Sequence, residues 1–170
     1  MRASYISYFL TPATVCLAIP LYKQLELLKR NLTAVATAIT AGVIGSVVSV
    51  YVMSMVFKLQ HVHYVSLLPK SITTAIGMGV SEEAGGIVTM TIVSIIITGI
   101  LGNIVADGWF KFIGIKEPIA KGLALGTSAH AIGTAKALEL GEVEGAMSSL
   151  SIAVSGLMTV VIVPIMSGLI

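Results

Sequence analysis

Three apolar runs, at 32–57, 86–106 and 145–170, constrain this chain more than any other feature. Each is about 20 residues or longer, the length that crosses a roughly 30 Å hydrocarbon layer as a helix. Within such a layer every backbone N–H and C=O has to be paired internally, which leaves helices or a closed barrel. A barrel strand alternates at period two over about ten residues, and no stretch here does. The sequence therefore predicts an all-α integral membrane protein, polytopic, with the lipid bilayer as its main partner and a cell membrane as its location. Composition agrees, since 56% hydrophobic against 11% charged residues leaves too little polar surface to cover a soluble globule of 170 residues.

Between the clean runs lie three interrupted ones, roughly 4–21, 64–81 and 118–138, broken by Pro, Gly, Ser, Thr or charge. They read as broken or re-entrant helical segments, which a membrane tolerates where protein or water satisfies the freed backbone groups. Laid together, "PATVCLAIP" (12–20), "PKSITTAIG" (69–77) and "LGTSAHAIG" (125–133) align Ala18 with Ala75 and Ala131, and Ile19 with Ile76 and Ile132, at spacings of 57 and 56. The chain then divides into repeat-like units at about 4–57, 64–106 and 118–170, each a broken segment followed by a spanning helix. Secondary transporters are organised this way, with discontinuous segments meeting near the midplane around a solute.

Loop charge bears on how the broken segments run. If they span, Lys23, Lys29 and Arg30 fall on one side and Arg2, Lys58, Lys111, Lys116 and Lys121 on the other, with no clear orientation. If they are re-entrant, all of these except Lys58 share one side, the asymmetry of positive-inside retention. Re-entrance is favoured, and it makes 64–81 enter from the face opposite to the other two. "PKSITT" and "GTSAH" then meet tip to tip.

Several function classes are disfavoured. Ten Lys+Arg against eight Asp+Glu is too balanced for a nucleic-acid partner. Cys16, alone, makes no intrachain disulfide and reads as a small buried hydrophobe. The N-terminal run lacks a convincing signal cleavage site and reads as retained. "HVH" at His61 and His63, with no acid or thiol cluster nearby, predicts no metal, and no cofactor or nucleotide loop is indicated. An enzyme is not expected either, because Ser128 and His130 stand at i, i+2 and do not face one another on a helix.

"TPATVCLAIPLYKQ", "SLLPKSITTAIGM", "SEEAGGI", "ITGILG" and "KGLALGTSAHAIGTAKALELGEVEGAMSSL" closely resemble the LrgB/CidB family over almost the whole length. Its members include bacterial antiholin-like proteins and the plastidal glycolate/glycerate translocator. The resemblance implies a single LrgB-like membrane domain over 1–170. Family members normally begin several tens of residues earlier with additional helices, so part of that scaffold is expected to be absent. "TTAIGM" also stands where the family more usually has a proline-containing "TTPIAM".

The family implies two functions. One is carriage of small monocarboxylates of the pyruvate, lactate, glycolate or glycerate type. The other is antiholin-like modulation of murein hydrolase activity and autolysis with a small holin-like partner of the LrgA/CidA type. A homo-oligomer is expected in either case. Packing with a partner would use the small-xxx-small face of Gly122 and Gly126. It does not require Lys70, His130 and Lys136 in or beside apolar segments, where an ionisable group costs a few kcal/mol and marks a water-lined path or site. Transport is therefore the main reading.

Its candidate solute-binding residues are Lys70, Ser71, Thr73, Thr74, Gly126, Thr127, Ser128, His130 and Gly133. Lys70 serves as an anion partner or else snorkels to the headgroups. The hydroxyls donate to a carboxylate, beside backbone N–H groups freed at the breaks, or bond their own helix's carbonyls. Gly126 and Gly133 let the backbone approach the ligand. His130, which titrates near neutrality, couples a proton or makes a structural hydrogen bond to a facing helix. Glu82 and Glu139 hold matching places after "AIG" in two copies and are the other proton-coupling candidates.

Overall fold

The computed structural model of the chain describes residues 18–170. A helical stretch over 18–23 leads into α1 (Leu25–Arg30), α2 (Leu32–Val56), α3 (His61–Leu67) and α4 (Thr74–Glu83). Then come α5 (Val88–Ile113), α6 (Pro118–Leu140) and α7 (Glu142–Ser167). Most of the first broken segment lies outside the described residues, with Arg2 and Cys16.

The long helices are the apolar runs. α2, α5 and α7 are each long and apolar enough to cross a membrane, and the chain is an all-α, multi-pass membrane protein. On α2 the buried residues Val35, Ile39, Val43, Val47 and Val50 recur at helical spacing, yet Ile44, Val48, Val52 and Met55 on other faces are exposed and equally apolar. A helix hydrophobic all round is what lipid selects. α5 ends where Gly114 takes a left-handed φ of 79° and the Ile115 N–H reaches back to the Phe110 carbonyl at 2.9 Å, a C-terminal wrap that favours glycine. Pro118 then opens α6, where its missing N–H loses no bond.

α6 is not a straight rod. His130, with φ 43° and ψ −130°, breaks it into arms 118–129 and 131–140. The arms fold back on each other, so that a Cβ on Gly133 would press on the Leu125 carbonyl and the Ala129 side chain. Both arms lie against the start of α7. Gly122 and Gly126 of the first arm abut Glu144 and Ser148, while Thr134 Oγ1 of the second lies 2.7 Å from Ser148 Oγ. The two ends of α6 thus sit together at the end of the bundle where α7 begins.

α3 and α4 make a second hairpin from the opposite end. His61 Nδ1 bonds the Ile170 carbonyl at 2.8 Å, beyond the end of α7. The chain then runs inward to Lys70 and Ser71, beside Ser46 in the middle of α2, before α4 turns back. Thr91 Oγ1 closes the hairpin onto α5, 2.8 Å from the Ser66 carbonyl and 2.7 Å from Ser81 Oγ, and the Ile87 N–H donates to Ser66 Oγ at 2.7 Å.

Helix boundaries place the two hairpins in one pattern. Residue 32 opens α2 and residue 88 opens α5, a step of 56. The same step carries the start of α4, at 74, to His130, one residue before the second arm begins. Because α2 and α5 run in opposite directions, the units 32–83 and 88–140 are inverted with respect to each other.

The ends of the bundle differ in charge. Lys23 lies 3.5 Å from Glu142, and Asp107 2.9 Å from Lys136, which brings the loops before α2 and after α5 to the end where α6 starts and finishes. Lys23, Lys29, Arg30, Lys111, Lys116 and Lys121 all belong to that basic end, and Lys58 to the opposite one.

Candidate functional site

The two hairpin tips meet halfway along α2. Between them lies a cavity of about 270 Å³, lined by Lys70 and Ser71 from the first hairpin and Thr127 and Ser128 from the second. α2 adds Gly42, Gly45, Ser46 and Ser49, and α5 adds Thr98. At about 30 Å³ per water this is room for roughly nine waters, or for a three-carbon acid with part of its hydration shell.

Lys70 supplies the charge. Pro69 and the turn at 68–73 interrupt the helical run and turn the chain just where the lysine stands. Its ammonium donates to Ser71 Oγ at 3.1 Å and to Ser46 Oγ at 3.3 Å, and Ser46 Oγ donates to Ser71 Oγ at 3.0 Å. The ion pairs among the described residues are Lys23–Glu142, Lys136–Asp107 and Lys136–Glu139, so no carboxylate there pairs with Lys70. An ammonium has three donors and a desolvation cost that two hydroxyls meet only in part. Such a site has unspent capacity for an anion.

The second tip is built by close packing. A Cβ on Gly42 would stand 3.1 Å from Thr127 Oγ1, so the glycine of α2 lets the first arm of α6 lie against it. Thr127 and Ser128 return their hydroxyl protons to the carbonyls of Leu123 and Ala124, both at 2.6 Å, leaving oxygen lone pairs at the cavity. His130 is buried behind them, where Nε2–H donates to the Ile95 carbonyl of α5 at 3.0 Å. Asn103 Nδ2 of α5 donates to the Ile132 carbonyl just past the break, at 3.2 Å.

A second, larger cavity of about 1140 Å³ lies between α2 and α5 with the first arm of α6 as its floor. It runs from Asn31 and Glu117 at the basic end to Gly42, Thr127 and Ser128, which it shares with the polar cavity.

Comparison with known proteins fixes the family. The LrgB-like family model matches residues 1–169. The chain belongs to the LrgB-like family. It is 44% identical over 159 residues to an antiholin-like protein LrgB of Bacillus mycoides (strain KBAB4), which covers 94% of this chain and 69% of that one. Proteins of the same name from Bacillus cereus (strain B4264) and Bacillus anthracis (strain CDC 684 / NRRL 3495) are each 43% identical over the same shares. No solved structure matches the chain.

Within this LrgB-like protein the candidates picked out from sequence separate into two groups. Lys70, Ser71, Thr127 and Ser128 line the polar cavity together. Thr73 and Thr74 stand at the start of α4, outside that lining. Gly122 and Gly126 abut the α7 backbone of the same chain, and Gly133 the other arm of its own hairpin. Glu82 is exposed, and Glu139 is exposed beside Lys136 at 3.6 Å. Lys136, partly covered, is held chiefly by Asp107. The residues missed from sequence, Gly42, Gly45, Ser46, Ser49 and Thr98, all lie inside runs that read as plain spanning helix. The signal for α2 was four small residues at helical spacing.

Proposed function

We propose that this LrgB-like protein carries small monocarboxylate anions, of the pyruvate, lactate, glycolate or glycerate type, through the cavity between the hairpin tips. The observation that carries the reading is Lys70, an ammonium with hydroxyl partners only, placed halfway through the bundle in a polar space of about 270 Å³. An anion entering from the basic end meets the apolar vestibule, then Thr127 and Ser128, then Lys70. The carboxylate takes the open donor capacity of the ammonium together with the Ser71 hydroxyl proton, since Ser46 has spent its own on Ser71, and both are the charge-assisted kind of hydrogen bond. Inverted hairpins around one central site suit alternating exposure to the two sides.

The second reading is an antiholin-like modulator of murein hydrolase activity and autolysis working with a small holin-like partner. The names of the Bacillus relatives favour it over transport. In that reading the exposed faces of α5 and α7 meet the partner, since Gly122 and Gly126 are engaged within the chain.

Uptake of labelled pyruvate, lactate, glycolate and glycerate into proteoliposomes separates the two. Saturable uptake of at least one of them, abolished by Lys70→Met at equal protein density, is the expected result. Absence of flux for all four, with partner-dependent dye leakage, supports the modulator instead.

A further inference from the structure

The hydroxyls that line the polar cavity differ in where their protons go. Ser46 donates to Ser71 Oγ at 3.0 Å, Ser49 to the Ser46 carbonyl at 2.7 Å, and Thr127 and Ser128 to carbonyls of their own arm. Two protons are left, on Ser71 and Thr98. Ser71 Oγ at least accepts, from Ser46 and from Lys70, whereas Thr98 Oγ1 makes no hydrogen bond with any described residue.

Thr98 departs from the habit of its own helix. A hydroxyl in a membrane helix ordinarily returns its proton to a carbonyl three or four residues back, as Ser94 does to Thr91 at 2.8 Å. The carbonyl three residues before Thr98 is that of Ile95, and the Nε2–H of His130 takes it at 3.0 Å. The Thr98 oxygen is also reachable. Among the described residues the enclosed side-chain oxygen without a partner is Ser54 Oγ, whereas Thr98 is half-buried and lines the cavity.

Its place in the cavity is opposite the charge. The stretch of α5 that carries Thr98 packs on the second hairpin tip, since a Cβ on Gly99 would lie 2.9 Å from His130 Cε1 and 2.7 Å from Ile132 Cδ1. Lys70 Nζ and Ser71 Oγ stand on the first tip, 3.1 Å apart, a spacing that suits the two oxygens of one carboxylate. With the carboxylate held there, C2 of a small acid and the oxygen it carries are what extend toward α5. A carbonyl or a hydroxyl oxygen on C2 can accept the Thr98 proton.

We propose that Thr98 recognises the oxygen on C2 of the solute. Lys70 and Ser71 hold the carboxylate, and the Thr98 hydroxyl donates to the neighbouring 2-oxo or 2-hydroxy oxygen. The site thereby selects 2-oxygenated acids over plain carboxylic acids, a distinction that the charge of Lys70 alone does not make. This inference rests on the carrier reading above and adds what the cavity recognises beyond a carboxylate.

The test is equilibrium binding to the purified protein at neutral pH, with pyruvate and lactate set against propionate, and glycolate against acetate. All five are anions there, and the second acid of each comparison lacks the oxygen on C2. The parent should bind the 2-oxygenated acids roughly three- to tenfold more tightly, the worth of one hydrogen bond between neutral groups. Thr98→Val, which removes the hydroxyl at nearly the same size, should lower those affinities to the level of the plain acids and leave the plain acids within about twofold of the parent. Thr98→Ser should keep the preference. Equal weakening of all five acids in Thr98→Val would overturn the proposal, because Thr98 would then serve the carboxylate or the shape of the cavity, and so would no weakening of any. A parent that binds plain and 2-oxygenated acids alike would overturn it without any variant having to fold. A parent that binds none of the acids removes the carrier reading, and this inference with it, whereas binding without the preference removes the inference alone.

Discussion

The two hairpins share a shape and differ in how they are held. The first, 61–83, has short arms joined by the turn at 68–73, and its tip is hydrophilic, with Lys70 and Ser71 bonded to Ser46. The second, 118–140, has longer arms, and its tip is a strained histidine backed by glycines whose missing side chains let the α7 backbone in. One tip supplies the cavity's charge. The other supplies a rigid wall, and lone pairs from Thr127 and Ser128. Two hairpins that meet tip to tip need not divide a site equally, and here they differ both in arm length and in the side chains they bring.

The sharpest way to break the comparison is to show that the hairpins do not enter from opposite ends. In a Cys16→Ser background, single cysteines at Gln24 and Lys116 should be labelled by an impermeant thiol reagent from one side only, the cytoplasmic side by positive-inside retention, and a cysteine at Gln60 from the other side only. Labelling of positions 24 and 116 from opposite sides would require a full crossing where the structure folds back.

The next test concerns glycines at matched places, 77 and 133, one repeat apart. A Cβ at Gly133 meets the backbone carbonyl of Leu125, which has no room to retreat, whereas a Cβ at Gly77 meets the far end of the Ile95 side chain. Gly133→Ala should destabilise the detergent-solubilised protein by about 1–3 kcal/mol, the range for overpacking, and Gly77→Ala by clearly less. Thermal unfolding of the two variants side by side measures it. Equal losses would mean that the hairpins are packed alike.

A smaller effect is expected at the break itself. At φ 43° and ψ −130° a residue with a Cβ is strained, and His130 is held there while its ring bonds the Ile95 carbonyl. Both His130→Ala and His130→Gly lose that bond, but only the first keeps the strain. His130→Gly should therefore be the more stable variant by about 1–2 kcal/mol, reversing the order usual inside a helix. The alanine variant melting higher would show that the chain does not reverse at this residue.

Much of this architecture was legible in the sequence because membranes limit what a backbone can do. Uninterrupted apolar length marks α2, α5 and α7, and Pro69 and the glycines of 122–133 mark where helices break. Loop lysines carried the orientation of the hairpins, since a segment that turns back leaves its charges on one side. The site was only half legible. Lys70, Ser71, Thr127 and Ser128 announce themselves as polar groups in apolar runs, but Ser46, Ser49 and Thr98 look like the ordinary self-bonded hydroxyls of spanning helices. For His130 the sequence offers both a proton coupler and a structural hydrogen bond to a facing helix. The structure holds its ring behind the cavity wall on the Ile95 carbonyl of α5, and the sequence alone does not say which helix faces it.

Equilibrium binding of pyruvate to the purified protein, parent against Lys70→Met, tests the central claim most directly. If the ammonium between the hairpin tips holds the carboxylate, removing it should weaken binding by about 1.5–3 kcal/mol, or roughly tenfold to over a hundredfold in Kd. Pyruvate binding to the parent with an affinity that Lys70→Met leaves unchanged would contradict it.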